Sequence, residues 1–272
     1  MNSHEIPGDP LRAQAAFSLL SFGFGRLSRP DRWPSAFAGV DLAELALALE
    51  ASFRSAGART QTHPPSELLV AGKTPGAVMA SFVLEADRIA RVAVTHTRVP
   101  PFFAGLALVV HPDPALEAPL LLADLRVLPS GHARALFDAA GPGIDSPSFE
   151  KTFGAPLAAI VDDPVPGVRR LPVPAWLAPL SGGGGASLRS SPGDGGALAR
   201  IYRRYVEAYL EGLARAPEAV GKAPRQKNEN AARVVRDLSR SNAPAKRWLT
   251  RSFGEAAAER ALRLLWREGK GA

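Results

Sequence analysis

The sequence predicts an α+β protein in which helices pack on one or both faces of an antiparallel sheet. Two observations carry that expectation. Between Glu67 and Asp138, short apolar or alternating runs follow one another, with Gly, Pro or Asp in most gaps. Those gaps are too short for helical crossovers, so neighbouring strands run antiparallel. On either side of this block the apolar residues change to helical spacing. Helices, then strands, then helices is the α+β order.

Taken along the chain, Asp9-Pro10 reads as an N-cap followed by proline at the first helical position, opening a short helix to about Leu20. Asp41-Leu42-Ala43-Glu44 is a capping box with Asp in the Ser/Thr role, and Leu42, Leu45, Leu49 and Phe53 recur at helical spacing up to Gly57. Arg59 to Ser66 is polar linker. Six strands are expected: Leu68 to Val70, Ala77 to Leu84, Ile89 to Thr97, Leu106 to Val110, Leu120 to Leu128 and His132 to Phe137. From Ala140 to Gly196 proline and glycine are dense, and the stretch reads as loop hugging the surface. A single short helix is expected there from Pro147 to Ile160, capped by Ser146. The C-terminal part is helical. Leu198, Tyr202, Tyr205, Tyr209 and Leu213 form one apolar stripe; Phe253, Ala257, Ala261 and Leu265 form another, flanked by Ala258 and Leu262.

Composition narrows the chemistry. The 272 residues contain no cysteine, which excludes disulfides, thiolate metal sites, cysteine-bound iron–sulfur clusters and a Cys nucleophile. The five histidines show no metal-ligand spacing. No run of about 18 apolar residues is present, so no membrane helix is expected. Met1 to Glu5 lacks the basic start of a signal peptide, and a cytoplasmic location follows as an expectation. The net charge of +7 is concentrated: residues 201–272 carry 16 Lys/Arg against 8 Asp/Glu. An acidic partner or anionic ligand would dock there. Nucleic acid is not the expected partner, because the charge is spread along amphipathic helices and no binding motif accompanies it.

Three motif readings fail. Ala71-Gly72-Lys73-Thr74 resembles the end of a phosphate-binding loop, but Glu67 stands where that loop needs glycine, so a turn is the better reading. Gly182 to Gly185 has no following Lys-Ser/Thr. No GxSxG or GxGxxG signature is present.

The stretch with most to say is Val109 to Asp124. Pro112, Pro114 and Pro119 force an extended crossing, since each fixes its own φ and biases the residue before it. The following apolar run, Pro119 to Leu128, carries a carboxylate, Asp124, among leucines. Burying that charge is expensive without a reason. Two readings stand: Asp124 sits at a strand edge or caps a turn, or it is a functional acid.

His111-Pro112-Asp113-Pro114, four further residues, then Pro119 and Leu120-Leu121-Leu122-Ala123-Asp124 resembles the ferredoxin-dependent bilin reductases. Their pattern at this point is Pro-x-Pro-x4-Pro, a hydrophobic pair, Gly-x-Asp, with Leu122 here replacing the Gly. Three further segments agree in order: Ala135 to Asp138 with Pro142, Leu171 to Trp176 with Ser181, and Asn242 to Leu249 continuing through Phe253-Gly254-Glu255 and Ala258-Glu259-Arg260. The likeness covers roughly residues 66 to 268.

The resemblance implies a three-layer α/β/α sandwich with a central, mainly antiparallel sheet. Residues 66–272 would form it, with residues 1–65 as a helical segment packed on the same structural domain. It also implies a linear tetrapyrrole such as biliverdin bound between the sheet and the C-terminal helices. Reduction would proceed through radicals, with electrons from external reduced ferredoxin and no cofactor held by the chain. Asp124 falls on the family's central catalytic aspartate, a role that needs a carboxyl kept protonated by apolar surroundings and by the ligand. His96 and His111 are the imidazoles that could assist. Each also has a plainer reading: His96 as an exposed strand residue, His111 as a strand end in solvent. Lys246 and Arg247 are candidate contacts for the propionates, or else exposed helix charges. Asn242 is a candidate substrate contact, or only the cap of the following helix. The chain departs from the family at two proton-donor positions, which are Ala107 and Ala243 here. Three outcomes are compatible with that loss: a divergent reductase, a reductase of the red chlorophyll catabolite type, or a tetrapyrrole-binding protein without catalysis.

Overall fold

The computed structural model describes residues 40, 42–56, 58–59, 68–72, 77–86, 88–99, 103–141, 144, 147–174, 185–240 and 243–265. The expected helix from Asp9 to Leu20, the cap residue Asp41 and Asn242 lie outside them. Helix α1 (Leu42–Ser55) leads into a nine-stranded sheet in which every pairing is antiparallel. Its strands are β1 (Ala58–Arg59), β2 (Leu68–Ala71), β3 (Val78–Ala86), β4 (Ile89–Val99), β5 (Phe103–Pro112), β6 (Leu120–Val127), β7 (Ala133–Ala140), β8 (Val168–Leu171) and β9 (Ala186–Ser190). The spatial order is β1-β3-β4-β5-β6-β7-β9-β8, and β2 shares β3's outer edge with β1. All six strands expected from the sequence are present. β8 and β9 correct the reading of residues 140–196 as loop with one helix.

The helices are α2 (Ala155–Asp162), α3 (Gly195–Arg215), α4 (Lys222–Arg240), α5 (Ala243–Phe253) and α6 (Glu255–Leu265). A π turn at Glu150–Gly154 leads into α2, where a continuous helix from Pro147 was expected. Among the described residues no helix is long and apolar enough to cross a membrane.

Alternation along the strands fixes what each face of the sheet sees. Leu106, Leu108 and Val110 of β5, Leu121, Ala123 and Leu125 of β6, and Ala135 and Phe137 of β7 point to one face. There they meet α1 and the α3 stripe, whose members Leu198, Tyr202, Tyr205, Tyr209 and Leu213 are all buried. Phe137 packs between Tyr202 and Tyr205, with ring centroids 5.7 and 4.8 Å away. Tyrosines that deep need partners for their hydroxyls. Tyr202 donates to the Ala123 carbonyl at 3.1 Å and Tyr209 to that of Pro119 at 2.8 Å. The two bonds tie the start and middle of β6 to one helix.

The opposite face is covered by the C-terminal helices. Leu249, Phe253, Ala258 and Ala261 of α5 and α6 pack on Met79 and Ala93 of β3 and β4. Val235 and Ala232 of α4 join Leu262 and Leu265 over Val109, Leu120, Leu122 and Ala140. Gly254, with φ +90°, separates α5 from α6, and its N–H bonds the Thr250 carbonyl at 2.9 Å. A left-handed glycine is the common way to end one helix before the next starts. The second C-terminal stripe is therefore split: Phe253 closes α5 and the other members belong to α6. Gly72 closes the β2–β3 turn against this layer. A Cβ there would stand 2.5 Å from that of Ala77 and 2.9 Å from the Ser252 carbonyl oxygen, which accounts for a glycine without any phosphate loop.

Candidate functional site

Asp124 lies in the middle of β6, opposite Ala107 on β5 and Leu136 on β7. Its neighbours on the same side of the strand, Leu120 and Leu122, pack against α4. Asp124 thus faces the side of the sheet that the C-terminal helices cover. Its side chain keeps 24% of its area exposed, so it is enclosed yet reachable. The reading of Asp124 as a strand-edge or turn-capping residue fails, because three residues of β6 follow it and the strand is paired on both sides.

The carboxylate of Asp124 is paired. Oδ2 lies 2.6 Å from Nη2 of Arg126, two positions along the same strand and therefore on the same face. Attraction to Asp124 raises the Arg126 guanidinium further above its ordinary range. Through the sheet, the Tyr202 hydroxyl is pushed far up, by burial first and by Asp124 second. Ala107, directly opposite, brings no proton-carrying group to the site.

The other predicted site residues are not all gathered here. His96 pairs in register with Leu106, a residue of the α3-side core, so the sheet itself stands between His96 and Asp124. His96 is buried, not an exposed strand residue. Burial, and after it Arg98, lowers its pKa to about 3, so it is a neutral imidazole at neutral pH. Its assignment as a helper of Asp124 is corrected by this register. His111 does share the face of Asp124. It sits four positions along β5 from Ala107, about 13 Å at the usual rise of a strand. It is buried too, with Nε2 3.3 Å from the Leu265 carbonyl oxygen at the end of α6, so it does not end its strand in solvent.

Lys246 pairs with Glu259 at 3.0 Å, which ties α5 to α6, and Glu259 also meets Arg263 at 3.2 Å. Hydrogen bonds from these two cations lower the Glu259 carboxyl. Arg247 is exposed on α5, and Ala243 is the first residue of that helix.

Two features of this face escaped sequence reasoning. Asp138 is fully buried on β7, opposite Leu122, and therefore on the same face as Asp124 and diagonal to it. Its charge adds to burial in raising the Tyr205 hydroxyl. The second feature is a row of arginines. Arg126, Arg134, Arg189 and Arg169 are successive register partners across β6, β7, β9 and β8. Strands sit about 4.8 Å apart, so the row runs about 14 Å beside Asp124. Arg126, Arg134 and Arg169 are exposed; Arg189 is half-buried. Arg126 and Arg134 stand between apolar neighbours in their strands, whereas Arg189 is followed by Ser190 and Arg169 by Arg170, so the four become a row only once the register is known.

Among the described residues no cluster of His, Cys, Asp or Glu could hold a metal ion.

No protein-family model matches this chain, and no curated protein matches it. The fold does match a solved structure, the selenomethionine form of phytochromobilin synthase from tomato in complex with biliverdin. The TM-score is 0.65 at 16% identity, covering 82% of this chain and 81% of that one. At that identity the likeness establishes the fold: an α+β sandwich with an antiparallel sheet between helical layers.

Proposed function

We propose that this protein binds a linear tetrapyrrole of the biliverdin type and reduces it with electrons from an external one-electron carrier, reduced ferredoxin. The observation that supports the reading most is the position of Asp124. The residue that the bilin reductase resemblance marks as the proton donor stands at mid-strand on the helix-covered face of this fold. The solved neighbour of that fold is a complex with biliverdin. Reduction of one double bond takes two electrons and two protons. This chain has no cysteine to ligate an iron–sulfur cluster; in this reading the electrons come from a separate carrier, one at a time. Asp124 hands a proton to the bilin radical. His111 is the imidazole on the same face. Lys246, Arg247 and Asn242, around the start of α5, are proposed contacts for the ligand's acid groups; Lys246 exchanges Glu259 for them.

Ala107 opposite Asp124, and Arg126 holding its carboxylate, favour a second reading: a tetrapyrrole-binding protein of the same fold that does not turn over. A reductase of the red chlorophyll catabolite type is the third.

Mixing the purified protein with biliverdin, then adding reduced ferredoxin without oxygen, separates these. A spectral shift followed by a colour change is the reductase. A shift without turnover is the binder. No shift with biliverdin, and none with an open-chain chlorophyll catabolite, overturns all three. In the reductase, Asp124→Asn keeps the binding shift and loses turnover by a hundredfold or more, about the contribution of one positioned acid. Unimpaired turnover removes Asp124 from the mechanism.

A further inference from the structure

The arginine row raises a physical problem. Like charges directly opposite one another on neighbouring strands repel. Here four arginines stand opposite one another at successive register positions on one face, and among the described residues Arg126 alone of the four has a carboxylate partner, Asp124. Arg189 adds to the cost, because its Nε is buried with no hydrogen-bond partner among the described residues. A row of this kind is relieved by an anion, and guanidinium forks suit carboxylates. The row and Asp124 are joined at a single residue. Arg126 serves both, bonded to Asp124 along its own strand and facing Arg134 across to the next.

A proton donor cannot remain in that pair. The 2.6 Å contact is an ion pair between Arg126 and the Asp124 carboxylate, and an uncharged carboxyl would give up its Coulombic part. The other charged groups near Asp124 on this face are Arg134 and Asp138 on β7. Beneath the sheet stands the Tyr202 hydroxyl. From the helical layer, α6 carries Glu255, Glu259, Arg260 and Arg263, of which Glu259 is already matched by Lys246 and Arg263. The charged residues of α4 with described side chains that could face this strip are exposed.

We propose that Arg126 is a positioning residue that couples ligand carboxylate binding to protonation of Asp124. An acid group of the ligand seats on the arginine row and takes Arg126 away from Asp124. The freed carboxylate then accepts one proton from solvent, and the neutral carboxyl is the form that can donate. No charge accumulates: the ligand's carboxylate replaces that of Asp124 as the counter-ion of Arg126, and the proton neutralises Asp124. The inference rests on the tetrapyrrole reading above. It adds a requirement that reading lacks, namely that the ligand's acid groups switch on the proton donor and do more than anchor.

The test is proton uptake on binding, read with a pH indicator in weakly buffered solution at neutral pH. Biliverdin is compared with its dimethyl ester, which keeps the chromophore and removes the acid groups. With the diacid the native protein takes up about one proton per ligand; with the ester it shifts the spectrum without uptake. Asp124→Asn binds the diacid without uptake. Arg126→Gln makes diacid and ester alike, and Arg126→Lys restores the difference, which a merely structural role would not do. Arg134→Gln weakens the diacid at least tenfold and leaves the ester unchanged. A spectral shift with no proton uptake, or uptake that persists in Asp124→Asn, overturns the coupling and leaves tetrapyrrole binding intact. No spectral shift with either ligand overturns the reading of biliverdin as the ligand, and the coupling with it.

Discussion

The two faces of the sheet treat polar groups in opposite ways. Under α3, the tyrosine hydroxyls are buried, but each of Tyr202 and Tyr209 is spent on a backbone carbonyl of the segment it covers. They are locks. Under the C-terminal helices, the apolar packing forms two smaller clusters, and beside them lie Asp124, Asp138 and the arginine row. Stability is concentrated on one side and ionisable chemistry on the other. The sheet separates them, so the reactive face can carry unfavourable charge without loosening the core.

The largest test of that division is Phe137→Ala. It empties the space between Tyr202 and Tyr205 and should cost about 3–5 kcal/mol in urea unfolding. If the faces are as separate as they look, the Asp124–Arg126 pair and ligand binding survive wherever the protein stays folded. His96 comes next. It is a buried neutral imidazole on the core side, with its pKa lowered from 6.5 to about 3. The unfolded chain therefore binds a proton below pH 6.5 that the folded one refuses down to about pH 3. Stability from this group is complete above pH 6.5 and falls as the pH drops through that window, by at most about 1.4 kcal/mol per pH unit. His96→Leu should flatten that part of the pH–stability curve and leave ligand turnover alone, whereas a change in turnover would place His96 in the reaction after all. Tyr209→Phe should cost about 1 kcal/mol, the value of one buried hydrogen bond. The smallest effect is expected from Lys246→Gln. That exposed pair should leave the melting temperature unchanged, and ligand affinity should fall less than in Arg134→Gln, which would make the row the stronger of the two acid-group contacts.

Much of the fold is legible in the sequence because its elements announce themselves locally. The α3 stripe from Leu198 to Leu213 is periodic, and β3 to β7 are apolar runs set off by turns. β8 and β9 are not local facts. Val168-Arg-Arg-Leu171 and Ala186-Ser-Leu-Arg-Ser190 are short, half charged or polar, and bedded among prolines and glycines. They are strands because β7 offers an edge for β9 to pair with, and β9 one for β8. The candidate site follows the same divide. Asp124 stands out as one carboxylate among leucines. The place of His96 could not be read, because β4 is buried on both faces and its alternation is erased. A shift of one residue would have put that imidazole on the face of Asp124, with β5 between them. Only the pairing His96 to Leu106 decides the matter.

β8 closes the sheet with four residues, two of them adjacent arginines. Adjacency means that each arginine goes to a different face: Arg169 joins the row beside Asp124, and Arg170 reaches Asp162 and the Gly185 carbonyl on the other side. A strand at the end of a sheet is a template on which a second chain can add. Shortness and charge are the usual defences against that. This strand has both, and its charge stands on both faces at once. Replacing the two arginines with valine would leave an apolar, β-prone edge, and self-association would be the result to look for.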